Sequence, residues 1–516
     1  MPQHTIVIGA GFAGLSAASY LARAGAKVTV LERHDMAGGR ARTFRAEGFL
    51  FDMGPSWYWM PDVFERYFAD FGTSVAEQYD LVRLDPSYRV VFGRESTIDV
   101  PAKLAHLYRM CEDIESGSAR RLKQFLAEAK YKYEVGMSEF VEKPSHSLAE
   151  FADIRIAQAA LKLHMLKDMS SYVDEKFTDA RLCQILKFPV LFLGATPANT
   201  PALYSLMNYA DLVMGTWYPM GGMHRMVEAM VRVAEAQGVR IQYDTTVTRI
   251  ATREGRVVGV ETAAGYLECD AVVGAADYHH VEQHLLDPAD RQYTEDYWER
   301  RTMAPSSLLY YVGVRGRLPG IKHHTLFFDR AFNQHAEEIY ERPQWPSDPL
   351  FYVCAPSVTD PSCAPPEHEN LFFLIPSAPG LGGDTEVLRK RYFEMVMDRY
   401  EAHLGTNVRD RIVYYRSFAE ADFKADYSAY KGNAYGLANT LRQTAFLKPK
   451  MKSGRVEGLY YAGQLTTPGP GVPPSLVSGR VVAREIAADF AISPSRLSPK
   501  PVTMPVQLPS KPAVTP

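Results

Sequence analysis

Three glycines and an acid near the amino terminus are spaced for one kind of chemistry. Gly9, Gly11 and Gly14 form G-x-G-x-x-G, and Glu32 follows eighteen residues later. Gly9 permits a tight turn, Gly11 lets the backbone approach a pyrophosphate, and Gly14 lets a helix pack close to a strand. Phe12 and Ala13, between the glycines, open that helix and present amides that favour an anion. Glu32 can accept a hydrogen bond from a ribose 2′-hydroxyl and would repel a 2′-phosphate. Arg33 stands beside it at the same edge. The pattern predicts a dinucleotide site.

The spacing works only if regular elements hold it. Thr5 to Ile8 is a short apolar run and reads as a buried strand. Phe12 to Ala24 reads as a helix with Gly25 at its C-terminal end. Lys27 to Leu31 is the second strand, closed by Glu32.

Two further stretches extend the site. "MAGGRARTFRAEGFLFDMGPSWY" spans 36–58 and holds Gly38-Gly39-Arg40, then Asp52-Met53-Gly54-Pro55-Ser56. "GLYYAGQLTTPGPGVPPSLVSGRVVAREI" spans 458–486: a strand, Gly463, a Gly/Pro-rich turn, and a helix from about Pro474 to Phe490. Pro473 and Pro474 suit a helix start, where a missing N–H costs little. Together these stretches resemble the flavin-dependent amine oxidase superfamily. The resemblance implies FAD. It places Gly39, Arg40, Gly54, Pro55 and Ser56 along the pyrophosphate and flavin, and Gly463 at the phosphates. It sets Gly471, Val472 and Pro473 against the pyrimidine side of the flavin, and the backbone near Val247 at the adenine.

Composition narrows the class. A net charge of −3 and a pI near 6.6 give no reason to expect nucleic acid. The glycine motif begins nine residues in, so no signal peptide is expected, and no apolar run reaches membrane-spanning length. Five scattered cysteines without C-x-x-C spacing suit a reducing cytoplasm rather than disulfides or zinc. The pairs His279-His280 and His323-His324 have no second cluster at metal-ligand spacing, so core or surface histidines are expected and no metal.

The expected architecture is α/β. A discontinuous Rossmann-like FAD-binding domain draws on 1–70, 220–280 and 455–490. In its middle part a helix at 222–237 precedes short strands and a buried strand, Ala271 to Ala275. Residues 71–219 are expected to be a mainly helical insert, with helices near 118–140 and 147–175. Residues 281–454 read as a mixed α+β substrate domain. It holds strands Ser307 to Val314 and Leu371 to Ile375, and a helix over about 385–404 capped by Asp384. The "GLGGD" stretch at 380–384 lacks the third glycine and reads as a loop. Residues 491–516 are proline-rich and are expected to be a disordered tail.

"GAGFAGL", "ERHDMAGGRA", "GFLFDMGPSWY", "FPVLFLGATPANTPALYSLMNYADLVMGTWYPMGGM" and "YYAGQLTTPGPGVPPSLVSGR" sharpen the resemblance, over residues 1–490, to bacterial phytoene (carotenoid) desaturases. That resemblance implies an oxidoreductase acting on an apolar C40 polyene, most simply phytoene through to lycopene, by hydride transfer to flavin. Oxygen or a quinone would reoxidise the cofactor. Trp57, Tyr58, Trp59, Tyr204, Tyr209, Trp217 and Tyr218 are aromatics available to line a channel. Asp153 is the candidate base, although the family's Asp is followed by an Arg one position later than Arg155 stands here. A lipid-soluble substrate implies a peripheral membrane helical insert, for which Lys123, Lys130, Lys132, Lys162 and Lys167 among apolar residues are suited. Carotenoid isomerases, ketolases and saturases share the same ends. Amine oxidases, and a prenylated-protein carrier on the same fold, are the further alternatives.

Overall fold

A computed structural model describes residues 4–93, 96–144, 167–440 and 443–490. Asp153, Lys162, most of the helix expected at 147–175, and 491–516 lie outside the described residues.

The first strand, β1 (His4–Ile8), runs parallel to β2 (Lys27–Leu31), and helix α1 (Phe12–Arg23) connects them. Both strands are nearly all apolar because the sheet is covered on both faces. Ala271–Gly274 pairs with the other side of β1, Leu459–Tyr461 pairs beyond it, and Arg240–Gln242 pairs with β2. The five strands are parallel and come from three distant stretches of chain. Gly25 follows α1 with a φ of 100°, the left-handed conformation that ends a helix.

Two helices flank α1 on the sheet: His224–Ala236 and Val472–Asp489. The second crosses α1 at backbone contact. A Cβ at Gly479 would lie 2.3 Å from the Ala13 carbonyl oxygen, and Ser16 Oγ donates to the Leu476 carbonyl at 2.7 Å. This helix starts two residues earlier than expected, with Pro473 and Pro474 in its first turn.

A three-stranded ribbon, Val247–Arg253, Arg256–Thr262 and Gly265–Glu268, leaves the parallel sheet at the Thr245–Val247 turn. A second, seven-stranded sheet is built on Ser306–Arg315 and His368–Ser377. Its far edge is Tyr88–Gly93 and Ser96–Val100, joined through His324–Phe327. These two strands come from the stretch expected to be mainly helical. Their β-branched, alternating residues (Val90, Val91, Thr97, Ile98, Val100) favour the sheet.

Two local expectations change. The helix Glu386–Leu404 is capped by Thr385, whose Oγ1 accepts the Leu388 amide at 3.3 Å. Asp384 is turned instead to Arg389 and the Ala421 amide. On the helix Ser118–Val135, Lys123 and Lys130 are exposed, but Lys132 is fully buried. Its ammonium donates to the Ala202 carbonyl and Ser205 Oγ and lies 4.0 Å from the Tyr172 ring. Lys132 is therefore not part of a membrane-facing basic stripe. Lys167 pairs with Glu175.

Candidate cofactor and substrate site

The turn after β1 is shaped by steric necessity. Gly9 has a φ of 102°, and its amide donates to the Leu31 carbonyl at 2.8 Å. A Cβ at Gly14 would lie 2.0 Å from the Gly9 carbonyl oxygen. At Gly11 the same construction meets nothing within 4 Å, because that side opens into a cavity. No side chain caps α1, so its first amides face the opening.

Glu32 is buried at the rim. Its Oε2 accepts the Ala10 amide at 2.8 Å and its Oε1 the His34 amide at 3.0 Å. Two of a carboxylate's roughly four acceptor positions remain for a ligand. Arg33 turns to Ser428 Oγ and the Ala425 carbonyl.

Gly38 donates its amide to the Ala10 carbonyl, which lays the second glycine pair against the first turn. Arg40 then projects inward. It is half-buried, with one donor on the Asn433 carbonyl at 3.1 Å, its terminal nitrogens 3.0–3.2 Å from the side-chain amide of Gln464, its charge 5.1 Å from the Tyr427 ring, and a buried Nε without a partner. Among the described residues no carboxylate pairs with it, and burial pulls its pKa down, with Asp277 opposing. A half-buried guanidinium with no carboxylate partner and an unpartnered Nε, beside uncapped helix amides, fits a pyrophosphate. A Cβ at Gly54 would lie 2.7 Å from the Arg40 carbonyl oxygen, so Gly54 is set by the close approach of Arg40. Asp52 faces away from the cofactor turn. Its oxygens accept the Met223 and His224 amides at 2.8 and 3.3 Å, holding the start of the helix His224–Ala236. At the carboxyl end, the Gly463 amide donates to Ser478 Oγ at 3.0 Å, and Gly471 has a φ of 109° just before the helix.

One cavity of about 730 Å³ joins these parts. Its wall includes Gly9, Gly11, Phe12, Ala13, Glu32, Arg33, Gly39, Arg40, Gly54, Pro55, Ser56, Val247, Gly463, Gly471, Val472 and Pro473. Gly14 stands behind it. The wall continues into an aromatic and aliphatic surface holding Trp57, Trp59, Phe188, Phe328, Tyr340 and Tyr352. Tyr58, Tyr204, Tyr209, Trp217 and Tyr218 are not on it. Among the described residues, the carboxylates on the wall are Glu32, Asp277 and Asp426. Asp277 caps the helix Tyr278–His284, and Asp426 pairs with Arg42. The aromatic surface carries none of them.

Sequence reasoning missed the contribution of the seven-stranded sheet: Leu309, Leu326, Tyr352 and Leu374 reach the wall from four strands. Alternation within each strand signals a buried face, but not which cavity it meets. It also missed that Cys354 lies opposite His324 across a strand pair.

The sequence matches the profile of the flavin containing amine oxidoreductases over residues 12–487. It is 43% identical over 491 residues to the carotenoid 3,4-desaturase of Haloarcula japonica, covering 95% of this chain and 99% of that one. The chain belongs to the carotenoid desaturase family of flavin amine oxidoreductases. It is an FAD-dependent oxidoreductase. The zeta-carotene-forming phytoene desaturase of Myxococcus xanthus is 31% identical over 504 residues, with 96% of each chain covered. The solved structure of cyclohexylamine oxidase from Brevibacterium oxydans superposes with a TM-score of 0.59 at 16% identity, covering 95% of this chain and 100% of that one, a likeness of fold. Among the described residues no helix is long and apolar enough to cross a membrane.

Proposed function

We propose that this chain desaturates a carotenoid polyene, and that the cavity running from the dinucleotide turn to an uncharged aromatic wall is where it does so. The lack of a carboxylate on that wall, among the described residues, is the observation that carries the reading. Among the described residues an ammonium substrate would meet no counter-charge there, whereas an apolar polyene meets aromatic faces and aliphatic side chains. This favours a desaturase over an amine oxidase. A wall furnished for a pyrophosphate, with Arg40 facing no carboxylate partner among the described residues, favours an enzyme over a carrier that has given up its flavin.

Bound flavin supplies a two-electron acceptor that takes a hydride from an allylic carbon. Gly11, Arg40 and the α1 amides hold the dinucleotide, and Glu32 meets the ribose. Trp57, Trp59 and Tyr352 keep water from the reacting carbons and align the polyene. Asp153 is the proposed assisting base for the proton that leaves the neighbouring carbon. Asp153→Asn should slow turnover by up to the ~10²–10⁴-fold typical of a general base, with residual activity and full flavin content. Complete loss with flavin retained would make Asp153 essential.

The finer reading has two forms. Phytoene through to lycopene follows the resemblance to phytoene desaturases. Removal of hydrogens at the 3,4 bond of an already conjugated carotenoid is favoured by the higher identity to the Haloarcula japonica enzyme. The substrate would reach the site from a membrane surface, with the exposed Lys123, Lys130 and Tyr131 of one helix available to meet lipid. Reoxidation would be by oxygen or a quinone. The test is to present phytoene and lycopene separately in lipid vesicles to the flavin-bound protein. Mass spectrometry and absorption then report product. Loss of two hydrogens and a red shift with either substrate supports the proposal and names the form. Turnover of amines with neither polyene consumed would overturn it.

A further inference from the structure

Behind the aromatic wall, two adjacent histidines and a cysteine meet in the core. His323, His324 and Cys354 are all at most 4% exposed, and a ring nitrogen of each histidine and Cys354 Sγ lie within 4.8 Å of one another. His324 and Cys354 are cross-strand partners, so the backbone fixes their approach. The hydrogen bonds leave one nitrogen of each ring free. Tyr352 OH donates to Ser56 Oγ at 3.0 Å, so its oxygen accepts the Nδ1–H of His324 at 2.6 Å. Nδ1 of His323 lies 2.8 Å from Thr359 Oγ1, and in the tautomer that donates to that oxygen the Nε2 carries the lone pair. Both Nε2 atoms are buried and have no partner. An oxygen acceptor on one ring nitrogen and a bare lone pair on the other is how a metal-ligating histidine is held. Trp57 stacks on His324 with ring centroids 4.2 Å apart and planes at 11°, which fixes that ring.

We propose that His323, His324 and Cys354 form a binding site for one Cu(I) ion. The donor set selects the ion. A thiolate and two imidazoles suit a soft monovalent cation of low coordination number, and one thiolate leaves the centre neutral. Zinc would need a fourth ligand. The two nearby carboxylates are committed. Asp360 accepts the Gly221 amide at 2.6 Å and the Ser362 amide and hydroxyl at 2.9 and 2.7 Å; Asp52 holds the Met223 and His224 amides. With metal–ligand bonds of about 2.0–2.3 Å, trigonal ligands sit roughly 3.6 Å apart, so the three groups need close by no more than about 1 Å. Metal uptake displaces the Cys354 thiol proton. The site stands independently of the desaturase reading.

The flavin-bound protein, kept anaerobic, is titrated with Cu(I) against bicinchoninate, and metal content is measured after desalting. One Cu(I) per chain is expected in the wild type and in Cys269→Ser, a buried cysteine elsewhere. Cys354→Ser and His323→Gln should lose tight binding while keeping flavin and circular dichroism. Tyr352→Phe should bind about 10–100-fold more weakly, through loss of the partner that orients His324. X-ray absorption should report sulfur and nitrogen ligands in the wild type. Absence of stoichiometric binding in the wild type overturns the site. So does binding unchanged in a folded Cys354→Ser or, should that variant not fold, in His323→Gln. Preferential retention of zinc overturns the choice of ion.

Discussion

Gly11 and Gly14 sit three residues apart and do opposite things. Gly14 has no room for a methyl group because the Gly9 carbonyl is already there; Gly11 has room, but the room belongs to the ligand. Gly11→Val should therefore leave a folded protein that purifies colourless, whereas Gly14→Ala should lower the unfolding temperature as well. Flavin absorbance and a thermal scan separate the two. Glu32→Ala should weaken FAD by roughly 10–100-fold, the worth of about 1.5–3 kcal/mol for hydrogen bonds to a charged group, measured by flavin titration of the apoprotein. Part of that loss would come through the Ala10 and His34 amides that Glu32 holds. Asp211 supplies a pH test. It is fully buried, accepts from Tyr88 OH at 2.8 Å, and is pushed up to about 7 by burial. A folded pKa above the unfolded value of about 3.8 means that the folded state binds the extra proton, so stability falls as pH rises from about 4 to about 7. Asp211→Asn should flatten that part of the curve. Denaturant midpoints of both proteins at pH 5 and pH 8 check it. The glycines and Glu32 could be read from sequence because their spacing is local. Asp211 could not, since its partner Tyr88 comes from a strand 123 residues away in sequence.

Helices show the same division. α1 and β2 were legible because an apolar run, three glycines and Gly25 mark them without help from the rest of the chain. The role of Asp52 was not: a carboxylate in a D-x-G stretch beside a flavin motif turns out to hold the first amides of a helix 171 and 172 residues away in sequence. Asp52→Ala should lower stability by about 1–3 kcal/mol, since two part-buried amides lose their acceptor. Urea unfolding followed by circular dichroism measures it. Gly479 is a second element-level constraint read only from packing. Gly479→Ala should push Val472–Asp489 away from α1, cut the unfolding temperature, and weaken flavin binding, because the displaced Ala13 lies on the cavity wall.

At the scale of the whole molecule, the chain returns to one parallel sheet after long excursions. β1 and β2 are in place by residue 31, but the edge strand Leu459–Tyr461, the Gly463 turn and the helix behind α1 come from the last tenth of the described chain. The excursions were harder to read than the sheet: Tyr88–Gly93, in a local hairpin with Ser96–Val100, joins a strand more than two hundred residues ahead, a pairing that no local pattern encodes. Synthesis must therefore run on for about 450 residues between the first and last strands of the flavin site, on the order of 20–90 s at roughly 5–20 residues per second. For all that time the ribosome carries a half-made sheet with an open edge and only the first part of the cofactor site. FAD meets its full site only once Leu459–Tyr461 and the Gly463 turn have been made, and it then stabilises the folded state by mass action. Flavin supply thus governs how much of the finished protein survives, and cannot shorten the interval in which a nascent chain is most exposed to aggregation.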